Sequence, residues 1–552
     1  MMSAATRVFG LSIAITVGIA GVLDTIVAAR MSPTPDEGAH IEYGRRVLHG
    51  RPVRDRIYFD SKMPISALNA IPLFAAEQLD AHRLLPGGAT LLHHWKLARV
   101  ASVVSLILLN LLVYRWASVL YGPAAGLAAS ILVALAPNLI AHGTLATTDG
   151  YFALGALLSL YCLRRYLRHP TWGNACVSAC VLAFAQLTKP FALYLYVIAG
   201  LGLAAAALLP PRIGASLTAR GTAFYAGVCL AALLLVLNVG FGFDRSFARL
   251  GSYRFTSGRL VNLQHTMARL PLLWRTRVPV PHPYLQGLDM SADDEAHGKS
   301  YGNVYLLGQL GNSRDPRFHG FKSYYAVAWF FKEPIALQVL FLLGLLEVRK
   351  RRAFADFVLD EGPLLAAAGV LVLWLSFFNR AQLGVRHILP ALAVAVVIAS
   401  AAFSRFPLLP RGARIGLGLL VVWLGVSTFS YYPHLIPYMN EWAGDRRLSY
   451  RLLADSNLDW GQNEDLVGDF LATNPDVVLN PRTPVCGRVL MSANRLTGVL
   501  GSRKNWKAHS WAWGYQPVAH VGYAHFLFHI PPDRASGDGV KVPPSSRPNC
   551  SL

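Results

Sequence analysis

Long apolar segments alternate with short polar connections along most of this chain. Eleven of the segments approach or exceed the roughly 18 residues that a helix needs to cross the hydrocarbon of a membrane. They lie at 8–28, 100–121, 124–140, 150–163, 175–188, 191–209, 222–243, 325–346, 363–379, 388–403 and 413–432. The pattern predicts a polytopic α-helical membrane protein with about 11 transmembrane helices.

The composition agrees with this prediction and excludes an ordinary soluble enzyme. Of the 552 residues, 54% are hydrophobic and only 15% are charged, and the mean hydropathy is +0.38. The formal charge of +21 could suggest a nucleic-acid-binding protein. However, much of the Lys and Arg lies in short connections between apolar segments, which is typical of membrane topology and not of a nucleic-acid surface.

The placement of basic residues predicts the orientation of the chain. If the N-terminus is cytoplasmic, the cytoplasmic connections carry twelve basic residues: Arg164, Arg165, Arg168, Arg212, Arg220, Arg349, Lys350, Arg351, Arg352, Arg405, Arg411 and Arg414. The opposite short connections carry only Lys189, Arg380 and Arg386. The positive-inside rule therefore predicts a cytoplasmic N-terminus and a periplasmic C-terminus in a bacterial inner membrane. The first segment ends like a signal peptide, but its length favours an uncleaved helix.

Three long pieces then lie outside the membrane: a first periplasmic loop at 30–99, a large periplasmic loop at 244–324 and a C-terminal region at 433–552. Residues 64–79 are apolar but short and contain two prolines, which predicts a helix in the membrane interface. In the C-terminal region, "EDLVGDFLAT" is helix-like and "HVGYAHFLFHI" is strand-like. We predict a transmembrane module at 1–432 and a small periplasmic α/β domain at 433–552 with a disordered tail.

Ionisable residues from distant parts of the chain fall on the predicted periplasmic side. They are Asp36, Glu37, Lys62, Asp149, Lys189, Arg386 and His387. Each has a structural interpretation: the acids could cap helices, the basic residues could reach the headgroup layer, and the histidine could be structural. Ionisable residues at membrane depth are nevertheless costly and are often functional. The seven residues together therefore predict a site on this face.

The mixture of acids and cations in this group suits sugar transfer from a lipid phosphate. Lys and Arg bind phosphate through charge-assisted hydrogen bonds, and a carboxylate can deprotonate an attacking hydroxyl. Adjacent side chains point in different directions. We therefore assign the base to Asp36 and a positioning role to Glu37. The sequence has no nucleotide-binding or cysteine-rich metal motif. A divalent cation near these two acids stays open, although no ligand set with metal spacing is visible.

These motifs resemble the GT-C membrane glycosyltransferases, and most closely glycosyltransferase family 39. The resemblance lies in the Asp36-Glu37 pair after the first span, Lys62 before the interfacial helix, Asp149 after the third span and "RHILP" late in the membrane region. The family includes protein O-mannosyltransferases and the lipid A aminoarabinose transferase. The resemblance implies a polyprenyl-phosphate-linked sugar donor, with Asp36 as base and Lys62, Asp149, Lys189, Arg386 and His387 binding the donor phosphate or sugar.

Two features of the sequence keep the function open. The Lys62 segment, "FDSKMP", differs from the motifs of both named branches, so neither the sugar nor the acceptor follows, and the acceptor is a glycolipid, a glycan or a protein. A flippase for lipid-linked sugar, or a glycan polymerase or ligase, would bind a similar lipid phosphate. The segments "PHLIPYMNEWAG" and "DSNLDWGQNEDL" are similar to uncharacterised bacterial members. The second favours a tight turn that caps a helix, or a sugar-stacking role for Trp460.

Overall fold

The structure is a computed structural model, and it describes residues 4–52, 62–81, 95–209, 218–269, 275–298, 302–351, 353–501 and 508–531. The tail that the sequence predicts to be disordered lies almost entirely outside these ranges. Cys550 and the residues directly before Lys62 lie outside them as well.

The apolar segments form helices, and within the described residues six of these helices are long and apolar enough to span a membrane unbroken. They are Phe9–Arg30, Trp95–Tyr121, Pro190–Ala207, Ala219–Gly240, Val385–Leu408 and Arg411–Phe429. Three more candidate spans are helix pairs, Pro123–Ala134 with Pro137–Gly143, Tyr324–Lys332 with Ile335–Lys350, and Phe354–Asp360 with Gly362–Phe377. Asp149–Arg168 and the shorter apolar helix Trp172–Ala185 coincide with the two remaining predicted spans. The predicted polytopic helical fold is confirmed.

The bends in the first two helix pairs follow from proline. The helix axis bends by 61° in the first pair, by 109° in the second and by 57° in the third. Pro137 begins the second helix of the first pair, and Pro334 lies in the break of the second. Because proline lacks a backbone N–H and collides with the preceding turn, the helix cannot continue through it unbent. The sequence predicted the first two pairs as continuous spans, and proline is the local reason that they are broken. Of the third pair it predicted only the second helix, at 363–379.

The helix Leu389–Ala399 lies at the centre of the membrane-type bundle, and all of its residues except Ala391 are buried. It contacts the helices Asp149–Arg168, Ile335–Arg351 and Gly362–Phe377. Its first turn follows directly after Arg386 and His387. This deeply buried helix therefore follows directly after the short turn that carries these two basic residues.

Within its described residues, the first predicted periplasmic loop contains the helices Pro35–Leu48 and Ala67–Ala81. The second coincides with the predicted interfacial helix, whereas the sequence did not predict the first. The two helices pack closely at Gly44, where an added Cβ would lie 2.2 Å from the carbonyl oxygen of Ser66. Glycine is therefore required at this crossing, and the packing holds the Asp36 helix against the segment that follows Lys62.

The remaining elements lie in the other two predicted periplasmic pieces. The large loop contains the helices Gly258–Ala268 and His282–His297 and an antiparallel hairpin of Asn303–Leu306 and Gln309–Asn312. The C-terminal region contains the helices Glu464–Thr473 and Ala493–Thr497 and four strands, Val478–Leu479, Gly487–Ser492, Pro517–Val521 and His525–Ile530. When the strands are numbered in chain order, their order across the sheet is first, second, fourth and third. The first and second strands pair in parallel. The predicted small α/β fold of this region is present.

Candidate active site

The helix Pro35–Leu48 turns Asp36 and Glu37 in different directions. Pro35 occupies the first helical turn, and the Glu37 carboxylate accepts a hydrogen bond from the backbone N–H of Thr34 at 2.8 Å. This is the carboxylate half of a capping box, and two acids in the first turn also suit the positive end of the helix dipole. Side chains one residue apart on a helix diverge by about 100°. The two acids therefore reach different surroundings.

Glu37 is buried in an ion pair with Arg99, and both side chains are 1% exposed. Arg99 Nε and Nη2 each donate to the carboxylate at 2.7 Å, and the backbone N–H of Ala146 donates to it at 2.8 Å. The same guanidinium donates to three carbonyl oxygens at the end of the first span, those of Ala28, Met31 and Ser32. Glu37 thus ties the loop after the first span to two other parts of the fold, and it does not face the cluster around Asp36.

Asp36 pairs with Arg386, which is 350 residues away in sequence. Asp36 Oδ2 lies 3.0 Å from Arg386 Nη1, and the Asp36 side chain remains 34% exposed while that of Arg386 is only 10% exposed. Gly384, with φ +99°, turns the backbone into the short 3-10 helix Val385–Ile388 that carries Arg386. A left-handed φ of this kind favours glycine. The sequence "LGVRHILP" therefore encodes a tight turn that presents the guanidinium to Asp36.

Asp149 and Lys189 form the second ion pair of the cluster. Lys189 Nζ donates to Asp149 Oδ1, and Asp149 Oδ2 lies 3.8 Å from Arg386 Nη1. Both members are largely buried, with side chains 2% and 8% exposed. Pro190 forces Lys189 into an extended conformation, with φ −150° and ψ 145°. The break at "TKP" therefore places this lysine beside the first turn of the helix that Asp149 begins.

Lys62 and His40 are the other electrostatic neighbours of Asp36. Burial favours the neutral form of Asp36, but the charges of Arg386 and Lys62 outweigh burial and lower the pKa of this carboxyl below its ordinary value. Burial, and then the charge of Lys62, lower the pKa of His40 to about 4, so its imidazole is neutral at pH 7. His40 Nδ1 lies 3.2 Å from Ser66 Oγ. Asp36 is therefore ionised at neutral pH and faces two cations.

His387 lies behind Arg386, against aromatic side chains. Its Nδ1 is 3.4 Å from the hydroxyl oxygen of Tyr325, and its ring centroid is 6.4 Å from that of Phe191. Lys189 Nζ also lies over Phe191, 5.3 Å from the ring centroid. His387 is therefore close to the cluster, but its hydrogen-bond and ring contacts within the described residues are with Tyr325 and Phe191.

The structure thus brings Asp36, Lys62, Asp149, Lys189 and Arg386 together and turns Glu37 away from them. Sequence reasoning missed His40 and Asp455 as neighbours of the cluster, and Arg99 as the partner of Glu37. His40 lies one helical turn after Asp36, and this spacing is a signal that the sequence did contain. The positions of Arg99 and Asp455 depend on long-range packing. Within the described ranges, no group of three His, Cys, Asp or Glu side chains is arranged to hold a metal ion.

Comparison with known proteins supports the family resemblance over part of the chain. Residues 90–241 match the family model described as dolichyl-phosphate-mannose-protein mannosyltransferase. The matched region includes Asp149 and Lys189 but ends before Arg386 and begins after Asp36. No curated protein matches the sequence. The resemblance to GT-C membrane glycosyltransferases is confirmed.

Several solved structures are similar at low sequence identity. The apo oligosaccharyltransferase of Archaeoglobus fulgidus has a TM-score of 0.48 and 13% identity, and the match covers 78% of this chain and 56% of that one. ArnT from Cupriavidus metallidurans, bound to undecaprenyl phosphate, has a TM-score of 0.41 and 15% identity, with 95% and 98% covered. The present chain thus spans little more than half of the archaeal enzyme. Both scores lie below 0.5.

Proposed function

We propose that this chain, as a GT-C type membrane glycosyltransferase, transfers a sugar from a polyprenyl-phosphate donor to an acceptor hydroxyl with inversion at the anomeric carbon. The single observation that carries the proposal is the contact between Asp36 and Arg386 at 3.0 Å. The contact supports the proposal because the carboxylate that we propose as general base lies beside a cation that can bind phosphate. Sugar transfer from a lipid phosphate needs both groups next to the anomeric carbon.

The ion pair also suggests how the donor would prepare the base. A phosphate oxygen of the donor would compete with Asp36 for the guanidinium, since both are anions that accept charge-assisted hydrogen bonds from Arg386. Once its partner is occupied, Asp36 accepts the proton of the acceptor hydroxyl. The hydroxyl oxygen bonds to the anomeric carbon as the bond from that carbon to the phosphate oxygen breaks. The departing phosphate is stabilised by cations and needs no protonating acid.

Each remaining residue of the site has a distinct role in this scheme. Lys62 and Lys189 add positive charge around the leaving phosphate, and Asp149 holds Lys189 in place through their ion pair. His387 stands behind Arg386 and shapes the wall of the site. Glu37 acts at a distance, because its buried pair with Arg99 fixes the loop from which Asp36 projects. This is the positioning role that the adjacent acids suggested.

The proposal includes the cellular arrangement. The basic connections favour a bacterial inner membrane with the N-terminus in the cytoplasm and the C-terminus in the periplasm, so that the site faces the periplasm. Reporter fusions to each terminus test this orientation. A periplasmic reporter that is active at the N-terminal fusion point would contradict it.

Binding and transfer experiments with purified protein test the function. We expect Arg386→Gln and Lys62→Ala to weaken binding of undecaprenyl phosphate at least tenfold, because each removes a charge-assisted contact. Arg447→Gln is the matched control, since Arg447 also pairs with an aspartate but is 44% exposed. Unchanged affinity in both site variants would contradict a phosphate site here.

The donor, the acceptor and the competing functions are tested separately. Mass spectrometry of surface glycolipids, glycans and secreted proteins from a deletion strain should show the loss of one sugar at one attachment point. Supplying the purified protein with monosaccharide and oligosaccharide donors separates a glycosyltransferase from a polymerase or ligase. Movement of the lipid-linked sugar across vesicles without any transfer would favour the flippase.

A further inference from the structure

The segment 455–462, "DSNLDWGQ", lies in the C-terminal region yet reaches into the candidate active site. Its members Ser456, Asn457, Asp459, Trp460 and Gln462 are all buried. Asp455 is a further carboxyl near Arg386, and burial raises its pKa. A polar segment that is so enclosed must direct its hydrogen bonds to protein groups, because water cannot satisfy them. These hydrogen bonds lead to two loops of the site.

One set of contacts holds the loop that carries Arg386. The amide oxygen of Asn457 accepts from the backbone N–H of Val385 at 3.0 Å, and Ser456 Oγ donates to the carbonyl oxygen of Leu383. Between these two contacts, a Cβ added to Gly384 would lie 2.5 Å from Ser456 Oγ. The side chains of Ser456 and Asn457 therefore contact the backbone of the whole turn that precedes Arg386.

The indole of Trp460 packs on Arg386 itself. The guanidinium carbon of Arg386 lies 3.9 Å from the ring centroid. Stacking of this kind is a cation–π contact, and it also fixes the plane of the guanidinium while leaving its edge N–H groups free to meet anions. Trp460 is only 7% exposed. The face on which a sugar ring was predicted to stack is therefore occupied by Arg386.

A second set of contacts holds the loop that precedes Asp36. The backbone N–H of Ser32 donates to the carbonyl oxygen of Gln462 at 2.9 Å, and the backbone N–H of Asp465 donates to Ser32 Oγ at 2.9 Å. Gln462 in turn folds back onto its own segment, where its amide oxygen accepts from the backbone N–H of Trp460 at 2.6 Å. One short segment is thus bonded to the loops of both partners in the Asp36–Arg386 pair.

The segment is itself anchored in the membrane-type bundle. Lys332 Nζ, with no exposed surface, donates to the carbonyl oxygen of Asn457 at 2.7 Å. The amide nitrogen of Asn457 donates to the hydroxyl of Tyr324 at 2.9 Å. The contacts with Arg386 and Ser32 therefore rest on a support that is fixed to the helix Tyr324–Lys332.

We propose that the segment 455–462 is a positioning element of the active site, in which Trp460 orients the Arg386 guanidinium for the donor phosphate while Ser456, Asn457 and Gln462 set its distance from the Asp36 loop. The inference rests on the proposed function, since it assigns the phosphate to Arg386. It gives the C-terminal region a part in donor binding, assigns Trp460 to Arg386 in place of a sugar ring, and is compatible with the tight turn that the sequence favours, in which Asp459 accepts from the backbone N–H of Gly461.

Affinity for undecaprenyl phosphate, measured on the full chain in detergent, tests this inference. We expect Trp460→Leu to weaken binding about five- to tenfold, the range of a partly desolvated cation–π contact. We expect Trp460→Phe to restore most of the affinity. In transfer assays the KM for the lipid donor should rise while kcat changes less than about threefold, because the lost contact orients the phosphate partner and not the base.

The control is Trp513→Leu, because the Trp513 ring also lies near an arginine, 5.9 Å from the Arg451 guanidinium, but outside the cluster. Unchanged affinity in Trp460→Leu, an equal loss in Trp513→Leu, or equal losses in Trp460→Phe and Trp460→Leu would overturn the inference. If Trp460→Leu does not fold, Ser456→Ala tests the inference instead. We expect this variant to bind undecaprenyl phosphate two- to threefold more weakly, and unchanged affinity would overturn the inference. Absence of binding by the unsubstituted protein would instead overturn the proposed function.

Discussion

Removing the charge of Asp36 and removing the charge of Glu37 should affect different properties of the protein. Glu37→Gln should destabilise the protein, whereas Asp36→Asn should remove activity and leave stability nearly unchanged. Both substitutions preserve the shape of the side chain, so the difference isolates the carboxylate charge. The contrast follows from their surroundings, since Glu37 is enclosed with Arg99 while Asp36 remains 34% exposed beside Arg386.

The magnitude for Glu37→Gln follows from burial. Removing one partner of a buried ion pair typically costs about 3–5 kcal/mol, because it leaves an uncompensated charge away from water. Here the lower end applies, about 3 kcal/mol, since Arg99 keeps its bonds to the carbonyl oxygens of Ala28, Met31 and Ser32. The carboxamide also loses one of the acceptor oxygens that serve Arg99, Ala146 and Thr34.

The magnitude for Asp36→Asn is small for stability and large for catalysis. A partly exposed ion pair contributes about 0–1 kcal/mol, and Asp149 still lies 3.8 Å from Arg386 after the substitution. Loss of a general base typically lowers the rate by about 10²- to 10⁴-fold. We therefore expect a melting temperature close to that of the unsubstituted protein and sugar transfer near background.

Two measurements on the same detergent-solubilised preparations decide between the roles. Thermal unfolding followed by size-exclusion chromatography gives stability, and transfer from a labelled lipid-linked sugar gives activity. Full activity in Asp36→Asn would remove this residue from the mechanism. A melting temperature for Glu37→Gln equal to that of the unsubstituted protein, together with lost transfer, would show that Glu37 acts in the chemistry and would refute the reasoning from burial.

Three further predictions follow from the geometry of the cluster. The pKa of Asp36 is lowered, so the ionised base and its ion pair persist above that pKa and are lost only as the pH falls through it. We therefore expect kcat/KM to stay flat from neutral pH to about pH 5 and the acid limb of the profile to move upward in Arg386→Gln. An acid limb near pH 6.5 in the unsubstituted protein would point to another base. Asp149→Asn should raise the KM for the lipid donor because Lys189 loses its partner, and an unchanged KM would contradict a role for that lysine at the phosphate. Gly384→Ala should weaken binding of undecaprenyl phosphate, because it strains a backbone at φ +99° and collides with Ser456; Gly412→Ala, with open space at its Cβ, should not, and equal effects would contradict the importance of this turn.

Much of the architecture could be predicted from the sequence because it depends on local properties. Apolar segments become helices in a membrane irrespective of their neighbours, since a helix satisfies its own backbone hydrogen bonds. The breaks at Pro137 and Pro334 also have a local cause, although the apolar pattern alone predicted continuous spans there. The divergence of Asp36 and Glu37 required only that adjacent side chains on a helix point apart. Even the small α/β fold near the C-terminus follows from its short helical and strand-like segments.

The partners of the site residues could not be predicted in this way, because they depend on contacts between distant segments. Nothing near Glu37 in sequence indicates that Arg99 will enclose it, and nothing near Trp460 indicates that Arg386 will cover its ring. The sequence by itself determined the helices and the ionisable residues that are candidates for the site. Only the tertiary structure decided which acid faces the cations and which segment holds them, because packing the bundle and the C-terminal region together brings these side chains within bonding distance.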